Sequence, residues 1–72
     1  MADVRLENRL KVARAERNLS QEELAQLAGV SRQTISSIEK GQYCPSTLLA
    51  FVLAERLERP VTDLFYLEKE AT

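Results

Sequence analysis

Residues 20–38, SQEELAQLAGVSRQTISSI, constrain the fold more than any other part of this 72-residue chain. Ser20 followed by Glu23 forms a capping box. In it the hydroxyl accepts the third-position N–H, and the carboxylate accepts from the cap residue's own N–H. The pattern predicts a helix over 20–28, with Leu24, Leu27 and Ala28 inward and Ala25 as a small packing residue. Gly29 stands where a helix commonly ends in a left-handed residue that only glycine adopts cheaply. Val30 plugs the turn, and Ser31 caps a second helix over 31–40 with Ile35 and Ile38 inward.

The flanks extend this pair into a single domain over residues 1–72. Val4 and Leu6 alternate with Arg5 and Glu7, a weak strand signal. Asn8 is placed to cap a helix running to about Arg17, with Leu6, Leu10 and Ala13 near helical spacing. Gly41 ends the third helix, and Pro45 rules out helix just before it. Ser46 caps a fourth helix ending near Leu57, with Ala50, Leu53, Ala54 and Leu57 as its core stripe. Pro60 starts a short fifth helix through Leu64, and the ending FYLEKE reads as a second strand. A core this small cannot bury every apolar side chain that remains. Leu64, Phe65, Tyr66 and Leu67, with Leu48 and Val52, are therefore expected to form a two-fold dimer interface.

Composition excludes several classes of chemistry. There is no His, a single Cys, no metal-ligand cluster and no glycine-rich phosphate loop, so neither an enzyme nor a cofactor or metal site is expected. Cys44 has no second thiol to pair with and reads as a plain loop thiol, which fits a reducing compartment. No run of about 18 apolar residues is present, and MADVRLENRL lacks the apolar centre of a signal peptide. A cytoplasmic protein with no membrane partner and no evident small-molecule ligand is expected. Net charge is −1, which argues against an obvious nucleic-acid binder. The charge is uneven, however: residues 1–43 carry seven Lys/Arg against six Asp/Glu, and residues 44–72 carry three against five.

Ala25, Gly29, Ile35 and Ile38 fall where a DNA-binding helix-turn-helix needs a small residue, a turn residue and two core residues. The longer string SQEELAQLAGVSRQTISSIEKGQYCPS resembles the lambda-repressor-like, Xre-type helix-turn-helix proteins. The resemblance extends over residues 8–65. It takes in Arg14, the SQEELA opening, the AGVSRQTIS turn, the IEKG exit, the PS start of helix four and the DLF of helix five. The flanking VRLENRL and FYLEKE look like a small stand-alone subgroup in which end strands extend the domain and help it dimerise. The fold implied is an all-α, five-helix lambda-repressor-like domain, with short terminal β-strands as an option.

Arg32 and Gln33 open the second helix just after its cap, so their side chains point ahead of it. Glutamine can bond adenine bidentately, and arginine guanine. Ser37 lies one turn beyond Gln33, with Ser36 beside it. The resemblance implies base reading at Arg32, Gln33 and Ser37, although Arg32 suits a phosphate equally well. It also implies a phosphate contact at Gln21, at the positive end of its helix. Thr34, Lys40, Gln42 and Tyr43 lie within phosphate reach around the same helix and its exit loop, Lys40 having its own helix C-terminus as a competing partner. Arg14 and Glu39 are implied to pair as a structural ion pair. The function implied is sequence-specific binding of double-stranded DNA by a homodimeric transcriptional regulator, a repressor on an inverted-repeat operator. The alternative is a protein-interaction adaptor or antitoxin-like module on the same fold.

Overall fold

The computed structural model describes residues 3–69. The elements run β1 (Val4–Asn8), α1 (Leu10–Glu16), α2 (Gln21–Ala28), α3 (Arg32–Glu39), α4 (Thr47–Leu57), α5 (Val61–Leu64) and β2 (Phe65–Lys69). Five helices lie where the sequence pattern puts them, but the domain is not all-α. β1 and β2 pair antiparallel in the register Val4↔Lys69, Leu6↔Leu67 and Asn8↔Phe65. The ladder joins residues 4–8 to residues 65–69, and the Arg9 N–H continues it by donating to the Leu64 carbonyl at 2.8 Å. Residue 70 of the expected second strand, and the rest of the tail over 70–72, lie outside the described residues.

Each middle helix starts on a serine that does what its position demands. The Glu23 N–H donates to Ser20 Oγ at 3.0 Å and the Ser20 N–H donates to Glu23 Oε1 at 2.8 Å, completing the capping box. Ser31 Oγ accepts from the Thr34 N–H, and Ser46 Oγ accepts from the Leu49 N–H, each at 3.1 Å. Such caps are each worth about 1 kcal/mol. Gly29 ends α2 at φ 74°, in the left-handed region the turn requires. α1 begins differently from the sequence expectation. Arg9 occupies its N-cap position without a side-chain bond, and Asn8 is the last residue of β1. Asn8 still caps in effect, because its Oδ1 accepts from the Leu10 N–H at 3.1 Å.

The core draws on all five helices: Leu10 and Ala13, Leu24 and Ala25, Ile35 and Ile38, Leu53, Ala54 and Leu57, and Leu64. Full burial of each large aliphatic contributes about 1.5–3 kcal/mol relative to exposure. Three expected core positions differ. Leu6 points from the strand ladder and is 41% exposed, because the chain is extended there rather than helical. Leu27 is 46% exposed, since α2 turns Leu24 and Ala25 toward the core instead. Ala50 is only half-buried. In the opposite sense Leu64, expected at a dimer interface, has no exposed surface at all. It fills the domain's own core and is not available to a partner.

Candidate nucleic-acid interface

α3 buries two of its side chains in the core, Ile35 and Ile38, both essentially fully. With 3.6 residues per turn, positions 32, 33, 36, 37 and 40 fall on the other side of the helix. Arg32, Gln33 and Lys40 are exposed there, and Ser36 and Ser37 are half-buried. Gln33, Thr34 and Ser37 share a concavity of about 250 Å³ with Ser31 and with Tyr43 of the exit loop. Of the expected readers, Gln33 and Ser37 line this concavity and Arg32 and Ser36 do not. Gln42 is exposed in the same loop, its N–H donating to the Ser37 carbonyl at 2.9 Å. The Thr34 hydroxyl lies 2.9 Å from Ser31 Oγ, within the helix cap, where it stiffens the first turn. Lys40 sits at the C-cap of α3, and its ammonium makes no ion pair among the described residues.

A chain of polar contacts runs behind this face. Arg14 Nε donates to Glu39 Oε2 at 2.8 Å and Arg14 Nη2 donates to Glu39 Oε1 at 3.3 Å, a two-pronged contact between α1 and the end of α3. Arg14 Nη1 donates to the Leu19 carbonyl at 2.8 Å, fixing the link before α2. The two side chains are 14% and 6% exposed. The planar guanidinium matches the carboxylate fork, which a lysine ammonium would not. Gln21 differs from its expected outward role. Its Nε2 donates to Glu39 Oε1 at 3.1 Å and its Oε1 accepts from Arg32 Nη1 at 3.3 Å. The Gln21 side chain therefore bridges the ion pair to the first residue of α3. Its backbone N–H lies in the first turn of α2, where helix N–H groups have no intrahelical partner.

One contributor was missed by the sequence pattern. Asn8 Nδ2 donates to the Ile38 carbonyl at 2.9 Å, across thirty residues of chain. The Asn8 amide thus satisfies a donor at the start of α1 and an acceptor at the end of α3 at once. An asparagine before a helix is a legible capping signal, but its second bond is set only by the path of β1.

The proposed interface residues divide by exposure. Leu48 and Leu67 are 75% and 67% exposed. Val52, Phe65 and Tyr66 are half-buried, with Phe65 packed against the core and the Arg9 guanidinium 4.5 Å over the Tyr66 ring. Phe51, one turn beyond Leu48 on α4, is 58% exposed and extends the apolar surface. Its spacing from Leu48 was the signal available for it.

An α2–turn–α3 pair seated on three supporting helices, with a polar outward face on α3, defines a helix-turn-helix domain. The helix-turn-helix family model matches residues 10–64. The chain is 49% identical to an uncharacterized HTH-type transcriptional regulator of Methanocaldococcus jannaschii, over 90% of this chain and 98% of that protein. It is 43% identical to another from Bacillus subtilis, with the same coverage. Among solved structures, the restriction-modification controller protein C.AhdI of Aeromonas hydrophila superposes with a TM-score of 0.73 and 34% identity. That match covers 76% of this chain and 83% of the controller. A putative DNA-binding protein of Bacteroides fragilis superposes at 0.78 with 31% identity, over 85% of this chain and 98% of its own. The chain belongs to the Xre-type helix-turn-helix family of DNA-binding transcriptional regulators. No helix among the described residues is long and apolar enough to cross a membrane.

Proposed function

We propose that the protein binds an inverted-repeat operator in double-stranded DNA as a homodimer and represses transcription from it. The observation that carries this reading is the outward face of α3. Arg32 and Gln33 are exposed, and Ser36 and Ser37 half-buried, on a helix whose Ile35 and Ile38 are buried in the core. In the major groove, Gln33 suits adenine, Arg32 suits guanine, and the two serine hydroxyls suit either base type. Lys40, Gln42, Tyr43 and the start of α2 would meet the flanking phosphates, which set register and affinity rather than sequence.

A single domain of net charge −1 makes few phosphate contacts, and pairing two of them doubles the number. A two-fold dimer would set its recognition helices about 34 Å apart, in successive major grooves on one face of the duplex. Leu48 and Leu67, bordered by Val52, Phe65 and Tyr66, are the surfaces offered for that pairing. Selection of bound sequences from random duplex DNA tests the reading directly. The expected product is a palindrome with half-sites one helical turn apart. Sedimentation at tens of micromolar should give a dimer, and Leu67→Lys should give a folded monomer. Recovery of a single unrepeated half-site by a monomer would remove the dimeric operator model.

The exposed apolar residues Leu48, Phe51 and Leu67 also favour a second reading, a protein-interaction adaptor on the same fold. Affinity for duplex DNA that falls steeply with salt separates the two, because only phosphate contacts release counterions.

A further inference from the structure

Among the described residues β1 has a partner along one edge only, since β2 is the other strand of a two-stranded sheet. The Arg9 N–H bonds the Leu64 carbonyl, and these two residues continue the register in which Glu7 faces Tyr66 and Arg5 faces Glu68. Antiparallel ladders alternate bonded and non-bonded pairs. Arg5 and Glu7 therefore turn their backbone groups to β2, and Leu6 and Asn8 turn theirs to the free edge. That edge opens on a concavity of about 490 Å³, whose far wall is the end of α3 and its exit loop through Lys40, Gly41 and Tyr43. Residues 5–8 form the near wall over about 10 Å of strand, the length of about three or four residues of an added strand.

The charges of this groove are unequal. Arg5 and Lys40 are exposed on its two walls. Lys40 makes no ion pair among the described residues, and Arg5 has only Glu7 at 3.5 Å, in a contact open to solvent. Exposed pairs of that kind are weak and give way to a better-placed carboxylate. Glu39, the other acid at the groove, is already neutralised by Arg14 at 2.8 Å. Leu6 and Phe65, on one face of the sheet, add apolar surface.

We propose that the free edge of β1 takes up an extended acidic segment of a partner protein as a third strand, and that this occupant and DNA exclude each other. The main chain of the added strand bonds to Leu6 and Asn8, and its alternate side chains supply specificity. An apolar residue lies against Leu6 and Phe65, and acidic residues beside it meet Arg5 and Lys40. A small ion would leave most of the edge's donors and acceptors unused, whereas a main chain matches them in register. Lys40 and Tyr43 are also the side chains that would meet the phosphates, so an acidic strand held against them removes two DNA contacts. The exclusion rests on that proposed role.

The probe is an end-blocked heptapeptide of alternating aspartate and valine, titrated into the whole protein without DNA and followed by amide hydrogen exchange. In the free protein the ladder should protect the Arg5 and Glu7 amides, and the Leu6 and Asn8 amides should exchange freely. The peptide should protect Leu6 and Asn8. The same peptide with lysine for aspartate should bind about tenfold more weakly or worse, because it sets like charges against Arg5 and Lys40. Leu6→Pro removes one outward N–H and none of the bonds to β2, a change that edge strands tolerate. It should weaken the aspartate peptide by about threefold to tenfold relative to Leu6→Ala, the range for one hydrogen bond. Urea unfolding checks each variant for folding. Arg5→Glu leaves the backbone edge intact and should narrow the preference for aspartate over lysine by about tenfold, which keeps the test open if Leu6→Pro does not fold. With DNA present, the aspartate peptide should displace the parent from the selected operator, and Leu6→Pro should need proportionately more of it.

A peptide that binds while Leu6 and Asn8 go on exchanging freely would overturn the proposal, as would equal binding of the lysine peptide or no binding of either. Protection of Leu6 that grows with protein concentration alone would assign the edge to a second copy and overturn it too. These readings need no DNA, so a protein that binds no operator leaves them standing, and that failure falls on the proposed function alone. A peptide that docks on the edge yet leaves operator binding untouched would refute the mutual exclusion.

Discussion

Replacing Arg14 by Met tests how much of this small fold hangs on the α1–α3 ion pair. Methionine keeps the apolar stem and removes three donated hydrogen bonds, two to Glu39 and one to the Leu19 carbonyl. The Glu39 side chain, 6% exposed, is then left with Gln21 Nε2 as its remaining partner among the described residues. Breaking a buried pair by deleting one member costs about 3–5 kcal/mol, because the other charge stays desolvated. The Gln21 contact and the 14% exposure of the Arg14 side chain place the expected cost at the lower end, about 3 kcal/mol. A domain of 72 residues has about 4–11 kcal/mol of stability in all. The variant should therefore be marginal. In urea, with a slope of about 1 kcal/mol/M for a chain this short, the midpoint should fall by about 3 M. The double variant Arg14→Met/Glu39→Met removes both charges and should be more stable than Arg14→Met alone. A single variant that unfolds within about 0.5 M of the parent, a shift of roughly 0.5 kcal/mol, would refute the assignment of this pair as a structural tie.

Gly29→Ala should cost about 1–2 kcal/mol in the same assay. A Cβ there meets nothing within 4 Å, so the cost is that of a left-handed backbone at φ +74° alone. Lys40→Ala should lower the slope of log affinity against log salt by about one per protomer, whereas Gln33→Ala should leave the slope and change preference at one base pair. Asn8→Asp keeps the acceptor for the Leu10 N–H but sets an oxygen against the Ile38 carbonyl, and should cost about 1–3 kcal/mol in thermal or urea unfolding. Unchanged stability would mean that Asn8 serves α1 alone.

The helices were legible because their signals are local. Ser20, Ser31 and Ser46 each sit one residue before a helix and cap it, and Gly29 marks the turn by a backbone requirement that side chains rarely meet. The terminal strands were faint because five residues of alternation say little without their partner, and the pairing of Val4 with Lys69 is non-local. Periodicity alone points Leu6 and Leu27 inward, whereas the position of each element against its neighbours decides which of two adjacent apolar residues is covered. The crowding of apolar residues in the tail points Leu64 outward. Its four-residue helix turns it into the core and leaves Leu67 outside. At the candidate site, the exposed face of α3 followed from spacing, and the pairing of Arg14 with Glu39 followed from family resemblance. The inward turn of Gln21 did not follow from either. It depends on the acceptor-only carboxylate of Glu39 being within reach, which only the folded chain brings about.

The recognition helix is thus held at both ends by polar groups from other elements. At its start, Gln21 of α2 engages Arg32. At its end, Asn8 of β1 takes the Ile38 carbonyl while Arg14 of α1 takes Glu39. Between them, Ile35 and Ile38 supply burial, which is strong but non-directional. Burial alone permits an eight-residue helix to rotate or slide by a fraction of a turn, and that movement would shift the outward side chains Gln33 and Ser37. Hydrogen bonds with defined donors and acceptors do not permit it at so small a cost. This assigns the two-stranded sheet a role beyond closing the chain. By pairing with β2, β1 places Asn8 against the C-terminal turn of α3, so the strand pair helps to set the pose of that helix.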